Sequence, residues 1–219
     1  MKTKLMATAV AALLSTALFA QKMSYDAGRT TFGLRAGVNF ATINGKDLNG
    51  TKYNNNINTG FHVGVNAEIP VGTGTYIQPG VLYSQKGAEF SGNNEVDVNY
   101  LEIPVNFVYK PVLGTGRMLL GFGPYVGFGL NGTVKGSNGQ KTDVEFTKNY
   151  NPAEGPEYAQ YRRIDGGGNL LAGYEFRNNL SFQINAQLGL TQLAPDVNGE
   201  DNPRVTKNTN FGLSVGYRF

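Results

Sequence analysis

The chain has 219 residues, enough for one domain or at most two. It has a single histidine and no cysteine, which excludes a disulfide scaffold and makes a typical zinc site a poor fit. Nineteen Lys and Arg are interspersed with sixteen Asp and Glu and form no basic stripe, so nucleic-acid binding has no support. Thirty glycines, twelve tyrosines and thirteen phenylalanines point to an all-β chain with many turns.

The first twenty residues read as an export signal. Lys2 and Lys4 form a positive start, Leu5–Leu14 is an uncharged and mostly apolar run, and Ser15–Ala20 offers small residues for cleavage. The expected cut falls after Ala20; a cut after Ala17 stays open because Leu18 is a poor residue three places back. The run is short for a membrane-spanning helix. Residues 21–219 are then one domain of nearly neutral charge.

After the signal the period is two. Phe32, Leu34, Ala36, Val38 and Phe40 alternate with Gly33, Arg35, Gly37 and Asn39. Phe61, Val63, Val65, Ala67 and Ile69 alternate with His62, Gly64, Asn66 and Glu68. Successive side chains of a strand point to opposite faces, so each segment has one apolar face and one small or polar face. The pattern recurs over Ile77–Ser84, Leu101–Lys110, Leu120–Leu130, Asn169–Phe176, Phe182–Leu190 and Phe211–Phe219, predicting eight strands of roughly eight to eleven residues, the length that crosses a bilayer at a tilt. Pro79, Pro104 and Pro124 fall inside strands and predict local bulges.

The connections alternate. Thr42–Thr59, Gly87–Val98, Asn131–Arg163 and Thr191–Asn208 are long and polar, whereas Pro70–Gly74, Pro111–Gly116 and Arg177–Asn179 are short. Long loops at one end and tight turns at the other are the polarity of an outer-membrane barrel, with its turns in the periplasm. A soluble barrel with an apolar inside shares the alternation. Here the polar face is rich in Gly, Asn, Gln and Ser rather than Lys and Glu, and aromatics gather near strand ends, as in interfacial girdles. Phe219 lies on the apolar face of the last strand and resembles the aromatic signal read by the outer-membrane assembly machinery.

The run Tyr76-Ile-Gln-Pro-Gly-Val-Leu-Tyr-Ser-Gln-Lys-Gly87, with Tyr100-Leu-Glu-Ile-Pro-Val105 and Gly121-Phe-Gly-Pro-Tyr-Val126, resembles the PorT-like outer-membrane β-barrel domain of Bacteroidetes. Phe32–Asn39, Gly173–Phe176 and Gly212–Phe219 fit as well, so the resemblance covers most of residues 21–219. It implies an eight-stranded antiparallel up-and-down barrel in the outer membrane, without enzymatic activity or cofactor; some relatives are linked to a protease secretion system. Gly80 stands where that family leads one to expect a glutamate, which weakens any carry-over of a charged lumen site on that strand.

Two constellations stand out. With the amino terminus periplasmic, Arg35, Glu68, Lys110, Glu175 and Arg218 face inward near the periplasmic end and are expected to pair as a structural plug, since eight strands leave little free interior. His62, Ser84 and Glu102 face inward on adjacent strands toward the outer rim. They have the residue types of a base, nucleophile and orienter, but no motif surrounds Ser84. Gly127-Phe-Gly-Leu-Asn-Gly132 matches G-x-G-x-x-G without a following helix, and Asn49-Gly-Thr51 and Asn131-Gly-Thr133 read as turns. Tyr150, Tyr158, Tyr161, Arg162 and Arg163 gather in the longest loop, where a partner could be met. The expectation is a non-enzymatic barrel, structural or secretion-associated, whose contacts are outer-membrane lipid, the assembly machinery and an envelope or secretion-system protein. The alternatives are a lipid-modifying barrel enzyme and a small channel.

Overall fold

The computed structural model describes residues 28–46, 55–90, 94–151, 153, 159–197, 199, 202 and 205–219. The export signal, its cleavage site, Asn49-Gly-Thr51 and Tyr158 lie outside them. Eight strands close into one barrel: β1 Thr31–Lys46, β2 Asn58–Gly72, β3 Thr75–Phe90, β4 Asn94–Tyr109, β5 Gly116–Lys135, β6 Ile164–Glu175, β7 Leu180–Gly189 and β8 Val205–Arg218. Each pairs antiparallel with its neighbours in sequence, and β8 pairs with β1, so no backbone edge is left open among them.

The alternation sets the two faces. Phe61, Val63, Phe107, Phe122, Leu170, Phe182, Leu213 and Val215 point outward, with Phe122 and Leu170 each 60% exposed. Asn39, Gln78, Asn106, Asn169, Gln183, Asn210 and Ser214 point inward and are buried. In water, each large outward side chain would forgo about 1.5–3 kcal/mol of burial. A continuous apolar belt around a closed sheet fits lipid, where every backbone donor must also be paired within the chain.

At the turn end, Gly74 (φ 69°) and Asn179 (φ 65°) take the left-handed conformation that closes the β2–β3 and β6–β7 connections. The β4–β5 connection tightens through Val112–Leu113, which pairs back onto Arg117 and Gly116. The three prolines do not produce the expected bulges. Register is the same on both sides of Pro79, Pro104 and Pro124. Each proline lacks one N–H, and the in-phase pairs on either side hold the strand without an extra residue. The register shifts lie elsewhere, at Pro70/Gly72 and at Asn99/Tyr100. At the second, Asn99 faces Asn131 while Tyr100 faces Gly129, so Leu130 is the inserted residue.

Above that bulge the pattern inverts. On β4 the inward positions change from Glu102 and Asn106 to Tyr100, Val98 and Val96, and the outward ones from Leu101, Ile103, Val105, Phe107 and Tyr109 to Asn99, Asp97 and Glu95. Val96, Val98 and Tyr100 join Ile43, Ala88, Val134, Val144, Ala159, Tyr161 and Leu193 in a buried apolar cluster. This end of the barrel is built like a water-soluble β-protein, apolar inside and polar outside. Strands β1 to β5 and β8 are correspondingly longer than a bilayer needs. The stretch Gly87–Val98, expected as a long loop, is largely the β3–β4 hairpin, and Asn131–Thr133, expected as a turn, lies within β5. Beyond β5, Lys141–Asp143 folds back on Lys135–Thr133, and Glu145–Phe146 pairs in parallel with Gln160–Tyr161.

Candidate functional site: the charged lumen and its two mouths

Strands β2, β4, β6 and β8 end at the turn side with Glu68, Lys110, Glu175 and Arg218 all facing inward. Lys110 directly follows β4 and its Nζ donates to Glu68 Oε2 at 2.7 Å and to Glu175 Oε2 at 2.8 Å. Arg218 reaches the same two carboxylates: Nη2 lies 3.1 Å from Glu68 Oε1 and Nε donates to Glu175 Oε2 at 3.1 Å. Gln78 Nε2 adds a bond to Glu68 Oε1 at 3.3 Å, and the Lys110 ammonium lies 5.3 Å from the centre of the Tyr76 ring. Two cations thus answer two carboxylates, and each charge has more than one partner, as removal from water demands. Arg35 is not part of this group. It is buried farther along β1, and its Nη1 donates to Gln183 Oε1 at 3.4 Å.

A second charged cluster occupies the other half. Lys86 Nζ lies 2.8 Å from Glu102 Oε2 and 3.5 Å from Asp165 Oδ2, with both carboxylates at 3% exposure or less. The ammonium also stands 4.4 Å from the Tyr125 ring centre and 5.7 Å from that of Tyr100. Tyr125 Oη donates to Asp165 at 3.4 Å, Asn208 Nδ2 donates to Asp165 Oδ2 at 3.0 Å, and Gln187 Nε2 donates to Glu102 Oε1. Together with Arg35, this half also holds two cations and two carboxylates. Lys86 and Asp165 lie just past the strand ends read from sequence. Extending the period of two from Ser84 to residue 86, and from Asn169 back to 165, places both inward.

Between the clusters lies an amide and hydroxyl layer. His62, Gly37 and Ser214 form one cross-strand row on β2, β1 and β8. Gly37 leaves the room the imidazole uses, since a Cβ there would meet His62 Cε1 at 2.7 Å. The His62 Nδ1–H donates to Asn39 Oδ1 at 2.9 Å, and Nε2 faces Ser214 Oγ at 2.8 Å. Asn39 Nδ2 donates to Ser84 Oγ at 3.0 Å, and Asn210 Nδ2 to Asn39 Oδ1 at 3.1 Å. His62, Ser84 and Glu102 are therefore not a triad. The imidazole bonds to Asn39 and Ser214, while Glu102 is held by Lys86 and Gln187. All three are buried in mid-barrel rather than at its outer rim. The cavity they share with Arg35 measures about 10 Å³, room for one water and no substrate.

Both ends open into larger recesses. The turn end holds one of about 870 Å³, lined among others by Arg29, Tyr76, Arg117, Arg177 and Arg218. The loop end holds one of about 530 Å³, whose lining among the described residues, including Ile43, Phe90, Val134 and Tyr161, carries no charged residue.

The family described as outer membrane protein beta-barrel domain matches residues 19–194. Among solved structures, Neisserial surface protein A is 12% identical with a TM-score of 0.47, over 87% of this chain and 98% of that one. Ail, the attachment invasion locus protein of Yersinia pestis, is 14% identical with a TM-score of 0.43, over 88% and 100%. A major outer membrane protein from Thermus thermophilus is 15% identical with a TM-score of 0.43, again over 88% and 100%. No curated protein matches the sequence.

Proposed function

The chain belongs to the outer membrane protein beta-barrel domain family, and from that membership we propose that it serves as a sealed, non-enzymatic envelope component that presents its long-loop end to a protein partner. The observation that carries this reading is the filled lumen. Two clusters of buried, paired ions, with an amide layer between them, leave about 10 Å³ in the middle of the barrel. Such an interior has no path for ions and no room beside His62 for a lipid chain. Glu68, Lys110, Glu175 and Arg218 act structurally in this reading, joining four strands by charge where the lumen would otherwise be wet, and Arg35 ties β1 to β7.

The proposal extends to how the protein reaches its place. Residues 1–20 direct export, and the assembly machinery reads the outward aromatic edge of β8, where the Tyr217 and Phe219 rings meet edge-on at 5.4 Å. The narrower kinship, with PorT-like domains of Bacteroidetes, rests on the Tyr76–Gly87 and Tyr100–Val105 runs and makes a secretion-associated partner the first to look for. The enzyme alternative is tested by acyl release from phospholipid and lipopolysaccharide in mixed micelles. Neither the wild type nor His62→Ala should release fatty acid above the buffer rate. Release that His62→Ala abolishes would overturn the non-enzymatic reading.

A further inference from the structure

We propose that the periplasmic mouth of the barrel binds a phosphate- or carboxylate-bearing group. Among the described side chains at this end (28–33, 68–76, 109–118, 174–181 and 216–219) there are five cations, Arg29, Lys110, Arg117, Arg177 and Arg218, and two carboxylates, Glu68 and Glu175. Both carboxylates are already engaged from within the lumen. Glu175 lies cross-strand from Arg117, but its Oε2 accepts from Lys110 at 2.8 Å and from Arg218 at 3.1 Å. Glu68 is shared by the same two cations. Arg29, Arg117 and Arg177 have no ion pair among the described residues, and all three line the 870 Å³ recess.

The recess is built to receive a ligand rather than to pass one. Its roof is the Lys110–Glu68–Arg218–Glu175 network, so it ends blind. Arg117 enters from β5 with Nη1 donating to Tyr76 Oη at 3.2 Å, which holds the guanidinium at the wall. Arg177 comes from the β6–β7 turn, Arg218 from β8, and Arg29 from the segment before β1. Guanidinium groups offer paired N–H donors that match the oxygens of phosphate and carboxylate, and they stay charged at any physiological pH. An excess of cationic side chains around a concavity concentrates anions there. The group can come from a soluble periplasmic anion or from the headgroup of an anionic lipid in the inner leaflet.

The probe is sodium pyrophosphate, titrated calorimetrically into the full barrel in neutral maltoside micelles. We expect saturable binding that weakens as salt rises, and at least a tenfold loss of affinity in Arg117→Gln/Arg177→Gln. Both residues are exposed, and heat-modifiable gel mobility reports whether the variant is folded. Lys141→Gln/Lys148→Gln, at the opposite end, should bind as the wild type does. The same titration in nanodiscs separates the sources. Loss of pyrophosphate binding on adding phosphatidylglycerol to a neutral bilayer assigns the site to the lipid headgroup, and undiminished binding assigns it to a soluble anion; either result upholds the site. No binding in micelles, or binding that survives the arginine double variant, overturns the proposal.

Discussion

Lys110 shows how a single residue sets the stability of the lumen. It is 2% exposed and is shared by two carboxylates. Lys110→Met leaves Glu68 and Glu175 with Arg218 alone, an uncompensated buried charge, and should cost about 3–5 kcal/mol. The measurement is the urea midpoint of the refolded barrel. Adding Glu68→Gln in the same chain restores neutrality and should recover more than half of the loss. Asp97, on the water-exposed part of β4 above the apolar belt, behaves differently. Burial and the neighbouring Glu95 raise its pKa, against the opposing bond from Asn58 Nδ2 at 3.2 Å. The folded state then holds this proton more tightly than the unfolded chain, so stability falls as pH rises from 3.8 through the raised folded value. Asp97→Asn should be more stable than the wild type at neutral pH, with the difference vanishing below pH 3.8 in parallel urea titrations. The inward direction of Glu68, Lys110, Glu175 and Arg218 was legible because each lies in phase with its strand. That Arg35 stands apart was not, because parity gives a side chain's face and says nothing of its height or reach along the lumen.

At the scale of the strand, the main device is a change of phase in hydrophobicity without a change of phase in geometry. On β4, even-numbered residues point inward along the whole length, yet Glu102 and Asn106 are polar and Val96, Val98 and Tyr100 are not. The membrane portions of all eight strands could be read from period two because the apolar face stayed on one parity. The extensions could not, since a reader who keeps the apolar face outward loses the pattern where water replaces lipid and sees a polar loop at Gly87–Val98. The same error hid Lys86 and Asp165. Spin labels placed singly along β4 test this directly. Labels at residues 101, 103, 105 and 107 should collide preferentially with dissolved oxygen, and those at 95, 97 and 99 with a water-soluble nickel complex, with the crossover between 99 and 101. A crossover displaced by two or more residues would mean that the inverted segment does not mark the membrane surface. Gly123 makes a second demand on β5. A Cβ there would come within 2.0 Å of the Val105 carbonyl oxygen on β4, so Gly123→Ala should lower the unfolding midpoint more than Ala36→Gly, which only trims an outward side chain.

For the whole molecule, orientation and closure decide what the barrel does. The chain contains no cysteine, so single introduced thiols report without background. Asn138→Cys, exposed beyond β5, should react with an impermeant maleimide on intact cells, while Asn178→Cys, exposed in the β6–β7 turn, should react only after the outer membrane is opened. The outer-membrane barrel class and the lipid-facing exterior were legible in the sequence, because a closed sheet in lipid writes its period into every strand. What meets the loop end was not, because the described residues of its recess are uncharged and that end carries no motif of fixed spacing. The central claim, a lumen filled by two buried ion clusters, meets its most direct test in planar bilayers. The refolded protein should give no unitary conductance steps at voltages up to about ten times the thermal voltage, and Lys86→Ala with Lys110→Ala, which removes from each cluster a lysine shared by two carboxylates, should raise the current noise of the inserted barrel. Stable, reproducible conductance steps from the wild-type protein would contradict a sealed interior.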